Sequence, residues 1–380
     1  MAGIYIHIPF CRRACHYCNF HFSTSPALNK EMIQSLKQEI LLSKNDPYIL
    51  GQTIQTIYFG GGTPSLLDKR NIEELLSGVK NNFEVDPAAE ITLEANPDDI
   101  NAISLEGWKN IGINRLSVGL QSFIDRDLKW MNRVHNSQQA LLAIKMIKES
   151  GINNYSVDLI YGTPSLTIEE WKKNVETIIA LDVPHVAAYA LTVEPGTALQ
   201  SMIKLGKKAD ISSDDQAEQF LQLMEWMKKA GYEHYEISNF ARPGFRSKHN
   251  SSYWKGTPYL GIGPSAHSFS GKARKWNIAN NPRYIKSIKK NAIPFEEEVL
   301  TKGQQLNEYI MTSLRTIDGL DLRFVEKNFS PDDRLNIESD SAVYKNKKMM
   351  LLENEHLMLT QEGKLFADGI ASALFRSQSE

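Results

Sequence analysis

The sequence is poor in cysteine. Cys11, Cys15 and Cys18 are the only three among 380 residues. An odd number packed into one short loop excludes an internal disulfide framework. Long apolar runs are also missing. No stretch approaches the roughly 18 residues that a membrane-spanning helix needs, and the opening MAGIYIHIPFCRRAC lacks the shape of a secretory signal. Neither sign of charge dominates: 43 Lys and Arg face 45 Asp and Glu, a net charge of -2, with no basic excess to attract nucleic acid. The chain is 42% hydrophobic, which supports a real core and excludes disorder over most of its length. A soluble, cytoplasmic protein is expected.

The first half repeats one unit, a short β-branched or aromatic run followed by a Gly-rich or polar turn and a helical pattern. Strands are expected at Gly3–Ile8, Thr56–Phe59, Glu90–Glu94, Arg115–Gly119, Ser156–Tyr161 and His185–Ala190, with helices at Lys30–Leu42, Asn71–Lys80, Gln138–Glu149 and Glu169–Ala180 between them. Six such repeats predict an α/β fold of parallel strands with crossover helices. Periodicity alone does not separate an open barrel from a doubly wound sheet. The polar residues favour the barrel. The cysteines follow strand one, Gly60-Gly-Gly-Thr-Pro64 follows strand two and Glu94-Ala-Asn-Pro97 ends strand three. Gln121, Asp158 and Thr192 mark strands four to six. In a barrel, strand ends of this kind converge on one mouth.

The expected organisation is a partial (βα)6 barrel over 1–208, an α/β extension over 209–300, and a small winged-helix-like unit over 301–380. The extension holds a helix at Asp215–Ala230, the polar-aromatic stretch His249–Trp254 and a glycine-rich turn region, GIGPSAHSFSG. The last unit reads as helices at Gln304–Arg315 and Leu322–Asn328, a hairpin-like Lys345–Leu359 and a final helix from Gln361. Without a basic excess, that unit is expected to pack or bind protein.

The cysteine spacing is C-x3-C-x2-C. Clustered thiolates suit an iron–sulfur cluster or zinc. Zinc would want a fourth ligand, and His16 and His21 are nearest in sequence. Three thiolates on a cubane leave one iron open to a small chelating molecule. The GGGTP turn offers closely approachable backbone for such a ligand, or is simply a tight turn. Asp158 suits a ligand contact, a helix cap or an ion pair. His135 reads as structural or solvated.

The cysteine loop after a short first strand resembles the radical S-adenosylmethionine (SAM) superfamily. The resemblance implies a [4Fe–4S] cluster on Cys11, Cys15 and Cys18, with SAM chelating the open iron. It assigns Tyr5, Tyr17, Gly61, Gly62, Thr63, Glu94, Gln121, Arg133 and Asp158 to SAM. Gly112–Phe123, Arg133-Val-His135, Val157–Pro164 and His185–Thr197 narrow the likeness to the oxygen-independent coproporphyrinogen III dehydrogenase group. This group contains a decarboxylating enzyme of heme biosynthesis and a heme-chaperone branch. The enzyme pattern adds a fourth cysteine where Phe20 stands, and an extension ahead of the first strand. His249-Asn-Ser-Ser-Tyr-Trp254 matches the HNxxYW heme motif of the chaperones. On that likeness, His249 is the expected heme-iron ligand, Tyr253 and Trp254 line the porphyrin, and Arg242, Arg246 or Lys248 meets the propionates. The expected partners are heme and heme-acceptor proteins, respiratory ones among them. The resemblance leaves room for a homodimer and for peripheral membrane contact. A porphyrinogen dehydrogenase and a zinc-stabilised interaction protein are the competing readings.

Overall fold

The computed structural model describes residues 1–376. Its first half runs β1 (Ala2–Ile8), α1 (Asn29–Leu42), β2 (Ile54–Gly61), α2 (Lys69–Asn82), β3 (Val85–Ala95), α3 (Ala102–Ile111), β4 (Arg115–Gln121), α4 (Asp125–Trp130), α5 (Ser137–Ser150), β5 (Tyr155–Tyr161), α6 (Ile168–Ala180) and β6 (His185–Ala190). The local causes are ordinary. Helix α2 buries Ile72, Leu75, Leu76 and Val79, one stripe at i, i+3, i+4 and i+7. Helix α5 starts at an Asn136–Gln139 capping box and stops at Gly151 in the left-handed region. The strands are buried on both faces because helices and the barrel interior cover them. Each fully buried Ile or Leu contributes roughly 1.5–3 kcal/mol.

The six strands pair in parallel, in chain order from β1 to β6. A doubly wound sheet reverses its strand order part-way, whereas this one winds in a single direction, as a barrel does. The ring is incomplete. Beyond β6 lie β8 (Asn239–Ala241) and β7 (Glu233–Glu236), both antiparallel. On the other side β9 (Tyr259–Ile262) pairs parallel with β1. It is followed outward by β10 (His267–Phe269), β11 (Ala273–Asn277) and β12 (Phe295–Val299). Three further helices, α7 (Ala198–Lys204), α8 (Ser213–Lys229) and α9 (Lys248–Trp254), precede β9, and α10 (Asn281–Ile288) precedes β12.

Residues 209–300 therefore extend both edges of the barrel sheet. Phe220, Leu223, Leu260, Ile262 and Tyr284 share one apolar core with Ile4 and Leu93. The boundary expected near 208 is not a break in packing. The stretch expected as a polar-aromatic segment is the helix α9, and the glycine-rich region contributes β9 and β10. Gly261 is required at this turn of the sheet, since a Cβ there would sit 2.1 Å from the His267 carbonyl oxygen.

The last unit has its own core of Leu306, Ile310, Leu314, Val325, Ile337, Leu357 and Ile370. It comprises α11 (Lys302–Leu314), β13 (Leu320–Asp321), α12 (Leu322–Asn328), α13 (Pro331–Asn346), β14 (Met350–Glu353), β15 (His356–Leu359), α14 (Gln361–Lys364) and α15 (Ala367–Ala373). The hairpin is narrower than expected. Lys345 lies in the last turn of α13, and the hairpin turn is made by Asn354 and Glu355 at φ 50° and 67°. The helix expected from Gln361 is broken into α14 and α15. Among the described residues no helix is long and apolar enough to cross a membrane.

Candidate functional site

The C-terminal ends of the barrel strands surround a cavity of about 1050 Å³. Cys11, Cys15 and Cys18 line it, together with Tyr17, Gly61, Gly62, Thr63, Glu94, Gln121, Arg133 and Asp158. Tyr5 does not. It lies one layer below, stacked on Tyr58 with ring centroids 6.0 Å apart, and its hydroxyl bonds His7 Nδ1 at 3.2 Å.

The cysteine loop is pinned by backbone bonds to its surroundings. Cys11 N–H donates to Ser23 O at 3.0 Å, His16 N–H to Met131 O at 3.2 Å, and Leu199 N–H to His16 O at 2.7 Å. Gly62 must be glycine, because a Cβ would lie 2.6 Å from Phe10 O and 2.9 Å from Ile8 O. That close approach lets Gly62 N–H donate to Ile8 O and Thr63 N–H to Phe10 O. The Thr63 hydroxyl reaches Cys11 Sγ at 3.5 Å, and Arg133 Nη1 reaches Cys15 Sγ at 3.3 Å. The thiols are free, and burial raises Cys11 and pushes Cys18 up to about 11. Metal coordination would instead hold them as thiolates.

Beside the loop, Glu94 accepts from the Tyr58 hydroxyl at 2.8 Å and from Gly61 N–H at 3.1 Å. Burial raises Glu94 to about 7 and Asp158 to about 6. Arg133 Nη2 donates to Asn96 Oδ1 at 2.6 Å and Gly119 O at 2.7 Å. Gln121 sits at φ 71°, where the β4–β5 register also shifts, so β4 ends in a strained corner at the cavity wall. Arg133 Nε and Asp98 Oδ1 are buried without hydrogen-bond partners, while Asp98 Oδ2 pairs with the Arg12 guanidinium at 3.4 Å. Thiols, orphaned polar atoms and a glycine-lined approach form a donor set that fits an iron–sulfur cluster with an amino-acid ligand beside it.

Sequence reasoning did not single out Tyr58, Asp98 or Asn96, although Asn96 sits in the EANP run. Lys364, Phe366 and Asp368 of the last unit also border the cavity, and no sequence signal announces them. His135 is structural: it is buried, and its Nε2 donates to Leu120 O at 3.0 Å.

The HNxxYW residues are arranged differently from expectation. His249 is buried, with Nδ1 2.7 Å from Thr56 Oγ1 and Nε2 2.8 Å from the Tyr253 hydroxyl. Its ring stacks on Tyr58 at 4.8 Å, and Gly3 leaves the space it occupies. An iron ligand needs one ring nitrogen with its lone pair open, and here both are engaged. His249 thus stands as an anchor of α9 in this conformation, not as an open ligand. Tyr253 shares that inward face. Trp254, Arg246 and Lys248 line a second cavity of about 640 Å³. Arg242 is tied instead to Ala230 O and Asp182, away from both cavities.

Burial keeps His249 neutral, lowering it to about 3, with the Arg115 charge adding to the effect. In the unfolded chain the same group protonates near 6.5. Between those values the unfolded state binds more protons, so this group's contribution to stability falls as pH falls. One group in that window costs about 1.4 kcal/mol per pH unit. Cluster-free His249→Gln protein should therefore lose about 1 kcal/mol less than the parent between about pH 5.5 and about pH 4.5. Urea unfolding at the two pH values measures this, and equal losses would mean that folded His249 is protonated.

The barrel and the cysteine-lined mouth together define a radical SAM protein, and residues 5–178 match the Radical SAM superfamily. The full-length relatives are more specific. The heme chaperone HemW of Bacillus subtilis (strain 168) is 34% identical over 98% of this chain and 99% of its own length. That of Escherichia coli (strain K12) is 30% identical over 97% and 96%. The chain belongs to the heme chaperone HemW family. Among solved structures, the coproporphyrinogen III oxidase HemN from Escherichia coli, a radical SAM enzyme, shares the fold. It superposes with a TM-score of 0.84 at 22% identity, covering 98% of this chain and 90% of that one.

Proposed function

We propose that this chain binds heme and transfers it to acceptor proteins, respiratory heme proteins among them, as a cytoplasmic carrier. It would carry a [4Fe–4S] cluster on Cys11, Cys15 and Cys18, with SAM beside it. The observation that carries this reading is the full-length likeness to heme chaperones from several bacteria. Phe20 supports the same branch: it stands 68% exposed where the enzyme pattern has a fourth thiol.

Cys11, Cys15 and Cys18 would hold the cluster, which when reduced would be able to supply an electron to the SAM sulfonium. The chain's own residues hold and orient. Thr63 and Arg133 sit at the sulfurs of Cys11 and Cys15. Glu94, poised near neutrality by burial, becomes a full carboxylate when an ammonium group arrives beside it. Arg133 Nε and Asp98 Oδ1 stay unpartnered and available to a ligand. No histidine lines this cavity among the described residues, so a heme ligated by histidine belongs elsewhere.

The test is an anaerobic hemin titration of the cluster-reconstituted full chain, followed by mixing with an apo heme acceptor. Saturable binding and passage of heme to the acceptor are expected. Absence of saturable binding overturns the reading, and turnover of coproporphyrinogen would then mark the dehydrogenase.

A further inference from the structure

The cysteine mouth and the HNxxYW helix meet β1 and β2 at opposite ends, and one buried side chain reaches both. Tyr58 lines the mouth and is 8% exposed. Its hydroxyl donates to Glu94 Oε1 at 2.8 Å, and its ring stacks on that of His249 in α9, with centroids 4.8 Å and planes 23° apart. Resting on the reading of the chain as a heme carrier through that helix, we propose that heme and SAM bind this chain antagonistically, with Tyr58 as the positioning residue that links the two sites. SAM at the mouth is then a signal for heme release.

Tyr58 has little freedom between its two partners. Beside it lies Gly60, where a Cβ would fall 2.8 Å from Tyr58 Cε1, 2.9 Å from Tyr5 Cε2 and 3.1 Å from Glu94 Oε1. Glycine lets the three side chains meet over one point of backbone. Tyr5 stacks on Tyr58 at 6.0 Å and on His249 at 6.5 Å. Beneath the mouth the barrel is thus packed in series from Glu94 to Tyr58 to His249. A close-packed interior transmits a displacement instead of absorbing it.

His249 provides the two states. As it stands the ring is 1% exposed, with Nδ1 on Thr56 Oγ1 and Nε2 on the Tyr253 hydroxyl. A porphyrin cannot reach a ring buried in this way, so ligation of a heme iron needs the ring to leave Thr56 and withdraw from Tyr58. Tyr58 then aims at Glu94 from a ring with one face unsupported. The liganded mouth favours the opposite state. A cationic group beside Glu94 holds that carboxyl charged, and the Tyr58 hydroxyl donates to it a charge-assisted bond, stronger than a bond to the neutral acid. Tyr58 fixed there keeps the stack with His249 closed. Each ligand favours the state that the other disfavours, and the linkage is mutual: the factor by which hemin weakens SAM is the factor by which SAM weakens hemin.

The experiment is equilibrium dialysis of SAM against the anaerobically reconstituted full chain, with and without saturating hemin, in wild type, Tyr58→Phe and His249→Ala. Hemin should weaken SAM binding to the wild type about 5-fold or more, and the effect should level off once hemin saturates. Tyr58→Phe keeps the ring and drops the hydroxyl. It should bind SAM more weakly than the wild type and lose most of the response to hemin. His249→Ala should resemble the hemin-bound wild type before any hemin is added. Equal SAM affinity with and without bound hemin in the wild type overturns the linkage. A full wild-type response in Tyr58→Phe, or unimpaired SAM binding in His249→Ala, overturns the route through Tyr58. If hemin acts on His249→Ala as on the wild type, it competes at the mouth directly and the proposal falls. Failure of the wild type to take up hemin overturns the carrier reading itself.

Discussion

Cys15→Ser protein, reconstituted anaerobically, should come out colourless and nearly free of iron, where the parent is brown with about four irons per chain. The chain has no spare thiol: Cys11 and Cys18 are the only others, and Phe20 takes the fourth position of the enzyme pattern. A serine hydroxyl is a hard ligand and does not replace a thiolate on such a cluster. The loss should be specific, because backbone bonds from Cys11, His16 and Leu199 and the Asn132 side-chain bond to Ala14 O at 2.7 Å hold the loop without metal. Unfolding of the cluster-free variant should therefore lie within about 1 kcal/mol of the cluster-free parent. Iron and the reduced-cluster electron paramagnetic resonance signal are the measurements. A variant that keeps both would show that the cluster is held by other ligands.

The cysteine mouth was legible in the sequence because its parts are local. A strand end followed by a polar or glycine-rich run reads the same in any chain, and six of them in order define a converging barrel. The strands and amphipathic helices announced themselves by period, and β6 runs from His185 to Ala190 as expected. What stayed hidden is tertiary. Strand β9 has four residues, one of them Gly261, and is fixed by pairing with β1 far away in sequence. Helix α13 carries a Ser330 cap and Pro331 at its first turn, yet buries only Ile337 and Ser341, so no apolar stripe marks it. The role of His249 depends on Thr56 from another strand and on a hydroxyl four residues on. The motif names the residue but not which way its nitrogens face. Lys364 carries no local signal, since it borders the cavity only through the packing of the last unit on the barrel.

The second large effect is expected at Glu90, a residue with no motif around it. It is 4% exposed on β3, beside Thr56 in the sheet register. Its Oε1 accepts from His249 N–H at 3.0 Å and its Oε2 from Lys248 N–H at 3.1 Å, so it caps the N-terminus of α9 from a neighbouring strand. The same Oε2 lies 3.7 Å from Nε of Arg115, which is fully buried. Glu90→Ala removes the cap and leaves a buried guanidinium without its ion-pair partner, with only the more distant Asp158 charge near it, a change that costs about 3–5 kcal/mol. That is a large share of a typical domain's stability of roughly 5–15 kcal/mol. Urea unfolding of the cluster-free protein should show this loss, and adding Arg115→Met should recover a large part of it, since the penalty is the stranded charge more than the missing pair. A loss below about 1 kcal/mol would mean that Arg115 is solvated or paired elsewhere. The cysteine mouth, on the other end of the same strands, should still take up iron in Glu90→Ala.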